Sequence, residues 1–226
     1  MQPWSISALA AFETCPKQFY VLRVDKSIKE PESEQMLWGK RVHKAFEEYF
    51  GSGKEFPAGM GGLQEIAEDV GRVIEMTVGE DASRHVELKL GLNEALEPVG
   101  YFDENIWLRL VGDLVVVSEK VALVLDWKTG KPSDNDDQLA LAAATTMHHF
   151  PDVDTVLAGF VWLKAPKGRR MSVHTYYRDQ LQAIWGRFTG RVAEYQRAFR
   201  EADFQPRPNG LCRRHCPVVS CPHHGL

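Results

Sequence analysis

At 226 residues, with 44% hydrophobic and 26% charged residues, the chain has the size and make-up of one globular domain with room for a small appendage. No run approaches the ~18–20 apolar residues of a membrane span, and the N-terminus lacks the basic and apolar segments of a secretory signal. No membrane-spanning helix and a cytoplasmic location are therefore expected. The net charge of -4 hides an asymmetry: from Lys164 onward 12 Lys/Arg stand against 4 Asp/Glu, which leaves the first 163 residues acidic.

Taken in order, Pro3 to Cys15 reads as a short helix with Ser5 or Ser7 as N-cap and Ile6, Leu9, Ala10 and Phe12 as its apolar face. Pro16 bends the chain directly after Cys15, and a second apolar stretch ends near Val24. Residues 31–35 are polar and acidic, as in a surface connection. From Met36 to Phe50 a helical stripe of Leu37, Val42, Phe46 and Phe50 is expected, stopped by Gly51-Ser52-Gly53. His43 adjoins that stripe. A lone histidine beside an apolar face is ordinarily a packing or surface residue, and a ligand or base needs partners. After a Gly/Pro-rich loop, Leu63, Ile66, Ala67, Val70, Val73, Ile74 and Thr77 predict a second amphipathic helix closed at Gly79, with its apolar face serving core packing.

The period then changes from helical to alternating. Val86-Glu87-Leu88-Lys89-Leu90 and Ile106-Trp107-Leu108-Arg109-Leu110 alternate apolar and polar, and Gly112 beside Asp113 predicts a bulge or a close backbone approach. Two apolar runs follow, Leu114 to Val117 and Val121 to Leu125, across a polar turn Ser118-Glu119-Lys120. An antiparallel meander is expected. Beyond Lys128, Thr129-Gly130-Lys131-Pro132 makes a turn, and residues 133–137 lead polar into a helix that carries Gln138 in its first turn. Val156 to Leu163 is too apolar for an exposed edge strand, and Pro166-Lys167-Gly168 turns it into Met171–Tyr177. Leu181, Ile184, Trp185, Phe188, Val192, Tyr195 and Phe199 mark a long final amphipathic helix. The predicted class is α/β: a central mixed β-sheet flanked by helices, closed by a C-terminal cysteine clasp.

The chemistry concentrates around Asp113 and Asp126-Trp127-Lys128. Strand side chains alternate with period 2, so Asp126 and Lys128 point the same way, and hairpin pairing brings Asp113 toward Asp126. Two carboxylates can hold Mg²⁺ or Mn²⁺, which neutralises a phosphodiester and stabilises its leaving oxygen. A lysine beside them can reach the attacking water or the phosphoryl oxygens. A bare Asp-x-Lys is more often a surface ion pair. Here it follows five apolar residues, and the preceding strand carries an aspartate at the mirrored point.

Gly112-Asp113, then Asp126-Trp127-Lys128-Thr129-Gly130-Lys131, then Gln138 opening a helix, with His43 on an upstream helix, resembles the PD-(D/E)XK nuclease superfamily, most closely its RecB-like branch. The resemblance runs over nearly the whole chain. It implies a restriction-endonuclease-like core. Asp113 and Asp126 would bind the catalytic metal, Lys128 would orient or activate water, His43 would be an added metal ligand, and Gln138 would position active-site groups or DNA. Where the family motif often has a tyrosine four residues after this glutamine, the chain has Ala142.

Cys15, Cys212, Cys216 and Cys221 include three within ten residues at the C-terminus, spaced C-x3-C-x4-C. Without a secretory signal, such clustering reads as a metal or cluster site. The set resembles the split iron–sulfur ligands of AddB-type and CRISPR-adaptation nucleases, whose last three cysteines are spaced nearer C-x2-C-x5-C. That resemblance implies a [4Fe–4S] cluster joining both chain ends. Zn²⁺ is the alternative, since four thiolates suit it equally and His215, His223 or His224 can replace one. On this reading residues 1–204 form the nuclease core with its N-terminal helical segment, and residues 205–226 close the clasp with Cys15.

The expected function is a metal-dependent DNA exonuclease acting on ends or single strands in recombination, phage DNA processing or CRISPR spacer acquisition. A chain of this length leaves no room for a helicase motor, so a helicase, recombination or CRISPR protein is an expected partner. Lys167, Arg169, Arg170, Arg187 and Arg191 are candidate phosphate contacts, although charged helix faces are commonly solvated surface. The alternative is a catalytically silent DNA-binding or scaffold subunit of a repair complex.

Overall fold

In a computed structural model, which describes residues 2–29, 32–132 and 136–226, the chain divides into two compact units. One is Ser33–Trp185; the other combines Met1–Glu32 with Gly186–Leu226. No described helix is long and apolar enough to cross a membrane.

The larger unit is built on a six-stranded sheet. Its strands are β1 (Ser83–Leu92), β2 (Pro98–Val99), β3 (Leu108–Val117), β4 (Val121–Lys128), β5 (Thr155–Trp162) and β6 (Met171–Tyr177). They lie in the order β2-β1-β3-β4-β5-β6; β4 and β5 are parallel and every other neighbouring pair is antiparallel. The mixed sheet flanked by helices is the class expected from sequence. The parallel pair needs a crossover, and α5 (Asp137–His149) supplies it. The alternating segment at 86–90 lies inside the longer β1, whereas of 106–110 only Leu108–Leu110 are strand and open β3; β2, two residues long, carried no periodic signal.

Two helices cover one sheet face. Helix α3 (Glu34–Ser52) starts where the Ser33 hydroxyl accepts from Met36 N–H at 3.2 Å and ends at Gly53, whose φ of 71° is open to glycine at little cost. Helix α4 (Gly62–Val78) ends at Gly79. Val42, Phe46 and Phe50 of α3 and Ile66, Val70 and Ile74 of α4 pack on Leu114, Val116, Leu123, Leu125 and Trp127. These strand residues alternate along β3 and β4, which leaves Asp126 and Lys128 for the opposite face. Helix α5 covers that face, and every residue from Leu139 to Met147, Ala142 included, is buried. Leu37 departs from its expected stripe and is 43% exposed, because its turn of α3 lies ahead of the buried Val42–Phe50 segment. Residues 133–135, expected as part of the polar approach to α5, lie outside the described residues, as does residue 31 of the expected surface connection.

In the smaller unit, α1 (Ile6–Thr14) is capped by Ser5, whose hydroxyl accepts from Ala8 N–H at 3.3 Å. Helix α2 (Pro16–Phe19) begins at the proline after Cys15. The last helix, α6 (Leu181–Glu201), contributes its residues from Gly186 onward to this unit. Phe12, Phe19, Tyr195, Phe199 and Phe204 form an aromatic cluster, in which burial raises the Tyr195 phenol to about 12. The Arg191 guanidinium grips Glu13 through Nε and Nη2 at 2.6 and 2.9 Å.

Candidate active site

The β3–β4 ladder runs from Val117–Ala122 to Leu114–Leu125 and stops. Asp113 and Asp126 would be its next pair. In place of that pairing, Trp127 N–H donates to Asp113 Oδ2 at 2.8 Å, so the strands part with one carboxylate on each side of the opening. Trp127 is held from the other face, stacked on Phe46 and Phe50 at centroid distances of 4.3 and 5.6 Å. The aromatic core thus fixes the backbone that carries Asp126 and Lys128. Gly112 keeps the β1–β3 register opposite Leu88, so the expected bulge is absent. A Cβ there would come within 2.7 Å of Val115 Cγ2, so the expected close approach is made by a side chain and not by backbone.

Lys128 Nζ lies 2.7 Å from Asp126 Oδ2 and donates to Gln138 Oε1 at 2.9 Å, while Gln138 Nε2 donates to Asp126 Oδ1. The three form a closed triangle across β4 and the first turn of α5. The Lys128–Asp126 contact is an ion pair, not a well-directed hydrogen bond, and Asp126 Oδ2 is a buried acceptor without an aligned donor. Burial, then the neighbouring Asp113 charge, pushes the Asp126 carboxyl up to about 6, against the pull of Lys128. Lys128 also lies over the ring of Phe160, 4.9 Å from its centroid.

On the other side of the opening, His43 Nδ1 stands 3.3 Å from Asp113 Oδ1. Burial lowers the imidazole pKa, but the hydrogen bond and charge of Asp113 outweigh it, and the net shift is upward. A residue that sequence reasoning did not single out completes the group: Glu87 of β1. Ligand atoms of His43, Glu87 and Asp113 all lie within 4.8 Å of one another. Glu87 adopts φ of 48°, a left-handed conformation costly for a side chain of its size. Burial first, then the Asp113 charge, raises its pKa. Nothing in Val86-Glu87-Leu88 marks this residue beyond ordinary alternation.

The donor set fits a hard divalent cation. The imidazole of His43 and the carboxylates of Glu87 and Asp113 suit Mg²⁺ or Mn²⁺, and two carboxylates so close together call for a cation. Asp126 stands outside the compact trio, turned toward Lys128 and Gln138.

A PD-(D/E)XK nuclease superfamily model matches residues 3–222. The chain belongs to that superfamily. Curated proteins give no match. Among solved structures, the chain is similar to a Eubacterium rectale protein named "Putative exonuclease", at 13% identity and a TM-score of 0.56 over 97% of this chain and 90% of that one. At that identity the likeness speaks to the fold alone, which is the restriction-endonuclease-like fold of the superfamily. It is also similar to the alkaline exonuclease LHK-Exo of Laribacter hongkongensis in complex with dAMP, at 14% identity and a TM-score of 0.44, over 88% of this chain and 91% of that one.

The remaining candidate residues lie elsewhere. The four cysteines line one small pocket of the smaller unit with His223 and His224. Arg207 N–H approaches Cys15 Sγ and Asn209 N–H approaches Cys212 Sγ, each at 3.4 Å. Lys167 pairs with Glu65 and Asp69 of α4 at 3.0 and 3.4 Å, and Arg170 reaches Asp69 at 3.7 Å. Arg191 is held by Glu13, and Arg187 lies on α6. Arg169 lines a groove beside the residues that follow Lys128.

Proposed function

We propose that this superfamily member is a metal-dependent deoxyribonuclease, an exonuclease acting on DNA ends or single strands. The reading is carried by one observation, the meeting of the His43–Glu87–Asp113 trio with the Asp126–Lys128–Gln138 triangle at the parted ends of β3 and β4. When bound, a divalent cation supplies charge neutralisation at the phosphate and lowers the pKa of water. His43, Glu87, Asp113 and Asp126 are the residues that would hold it. Lys128 would offer its ammonium to the attacking water or to a phosphoryl oxygen, orienting the first and offsetting charge on the second. Gln138 ties Lys128 and Asp126 together and so fixes the reach of both.

The biological setting we infer is recombination, phage DNA processing or CRISPR spacer acquisition, with a helicase, recombination or CRISPR protein as partner. We take Cys15 with residues 205–226 as a clasp around a [4Fe–4S] cluster. The support is the convergence of Cys15, Cys212, Cys216 and Cys221 on one small pocket, and Zn²⁺ is the alternative for the same thiolates. Anaerobically purified protein should be brown; a colourless protein with stoichiometric zinc would reverse the assignment.

The deciding experiment for the enzyme uses labelled single- and double-stranded DNA with Mg²⁺ or Mn²⁺, with Asp126→Ala and Lys128→Ala beside the wild type. Cutting by the wild type alone supports the reading. A second reading, a silent DNA-binding or scaffold subunit, draws support from Asp126 being engaged by Lys128 and Gln138. Wild-type protein that binds DNA and cuts with neither metal would establish it.

A further inference from the structure

Directly after Lys128 the chain enters the wall of a groove of about 840 Å³, lined by Trp38, Thr129, Gly130, Lys131, Lys164 and Arg169 among others. Its wall starts at Thr129, the residue that follows Lys128 in the chain. Lys164 follows two residues after Trp162, the β5 partner of Lys128, so two of the walls are the chain segments leaving the C-terminal ends of β4 and β5. The third wall is the first half of α3, where a Cβ placed on Gly39 would lie 3.6 Å from Thr129 Oγ1. Ligands of open α/β sheets gather at strand ends of this kind.

The charges of this groove are unlike those of its surroundings. Lys131, Lys164 and Arg169 are exposed and, among the described residues, make no ion pair. A short distance along the chain, Lys167 and Arg170 are committed to Glu65 and Asp69. In a chain of net charge -4, three cations left without carboxylates around one concavity form a local positive field, in which Glu34 is the one acidic residue among the described lining residues. The aromatic wall is Trp38, half-buried, with the Arg41 guanidinium 5.4 Å from its ring centroid. Cations spaced around an indole are the means by which proteins hold single-stranded nucleic acid: phosphates meet the charges and an unpaired base lies on the ring. A base inside a duplex is stacked on its neighbours and cannot take that position.

We propose that this groove carries the substrate to the cleavage site as single-stranded DNA, with Trp38 stacking on a base and Lys131, Lys164 and Arg169 holding its phosphates. The inference rests on the nuclease reading and names the path of its substrate. Trp38 is a positioning residue that makes the enzyme prefer a single strand to a duplex.

The test measures fluorescence anisotropy of a labelled oligothymidylate strand and a labelled hairpin duplex in EDTA. It compares wild type, Trp38→Ala, Trp38→Phe and the triple variant Lys131→Ala/Lys164→Ala/Arg169→Ala. Trp38→Ala should weaken single-strand binding about 5- to 150-fold, the size of one base–aromatic stack, and spare the duplex. Trp38→Phe should recover most of the loss. The triple variant, altered only at exposed positions, should lower the dependence of log K on log salt by about 2, as three lost phosphate contacts require. Unchanged binding by both groove variants, in a protein whose DNA cutting Asp126→Ala abolishes, would overturn the groove and leave the nuclease standing. Equal weakening on both DNA forms by Trp38→Ala would also overturn it. Wild-type protein that neither binds nor cuts DNA overturns the nuclease reading and the groove together. If labelled polyglutamate binds in place of DNA, the groove belongs to an acidic peptide.

Discussion

Glu87 and Asp113 face each other across β1 and β3 without forming a ladder pair, although Val86–Leu114 and Leu88–Gly112 are paired on either side. Two carboxylates opposite one another destabilise a sheet unless a cation lies between them. Burial and the Asp113 charge already hold the Glu87 carboxyl above its ordinary range, and the backbone at Glu87 is left-handed. A strained residue that repels its neighbour persists where something else compensates. The expected outcome is that Glu87→Gln weakens Mn²⁺ binding by about tenfold or more by calorimetry, since a carboxylate ligand becomes neutral. Its metal-free melting temperature should not fall. Wild-type Mn²⁺ affinity in Glu87→Gln would remove this residue from the metal site.

Asp126 gives a prediction in pH. Its carboxyl titrates at about 6 in the folded chain against 3.8 ordinarily, so the fold binds this proton more tightly than the unfolded chain does. Stability therefore falls as pH rises through that window, and the cost is fully present at neutral pH. Because the upward shift already includes the opposing pull of Lys128, Asp126→Asn should stabilise the metal-free protein at neutral pH by on the order of 1–3 kcal/mol. The gain should shrink toward about pH 4, where the wild-type carboxyl is protonated. Urea unfolding in EDTA across this range is the measurement; a gain that grows on acidification would show that Lys128 dominates the site.

The contrast between these two carboxylates explains what the sequence could tell. Asp113, Asp126 and Lys128 were legible because two apolar runs joined by a short polar turn can pair in few ways, and period-2 alternation then places their polar ends. His43 and Gln138 were legible only by their order relative to those residues. The place of Glu87 beside Asp113 was not, since it depends on a register set by β1–β3 pairing and on a backbone conformation to which its neighbours give no clue. The interior position of β5 was readable from its unbroken apolar run. The missing bulge at Gly112 and the exposed Leu37 turned on neighbours distant in sequence, which local pattern does not report.

Trp127 links core and chemistry. Its indole is 2% exposed and stacks on Phe46 and Phe50, and its N–H to Asp113 spans the point where β3 and β4 part. Trp127→Ala should cost about 3–5 kcal/mol in denaturant unfolding, as removal of a buried tryptophan does. Trp127→Phe keeps an aromatic face for the stack and should recover most of that loss. Activity in Trp127→Phe is expected to fall, with the unfolding transition still cooperative, because Asp126 and Lys128 hang from this backbone. If Trp127→Ala unfolds with the wild-type midpoint, the aromatic stack does not anchor the catalytic strand.

Lys167 and Arg170 separate positive charge from phosphate binding. Both face Glu65 and Asp69 on α4, and Lys167 reaches the two carboxylates at 3.0 and 3.4 Å. A phosphate arriving at these cations must displace carboxylates already in place, so little counterion is released on binding. Lys167→Ala should therefore change DNA affinity by less than about twofold and leave its salt dependence as in the wild type. Glu65→Gln/Asp69→Asn frees the same cations, so it should tighten DNA binding and steepen the salt dependence. Both measurements use the same labelled strands in EDTA. Marked weakening by Lys167→Ala alone would show that the ion pairs give way to DNA and that this face belongs to the binding surface.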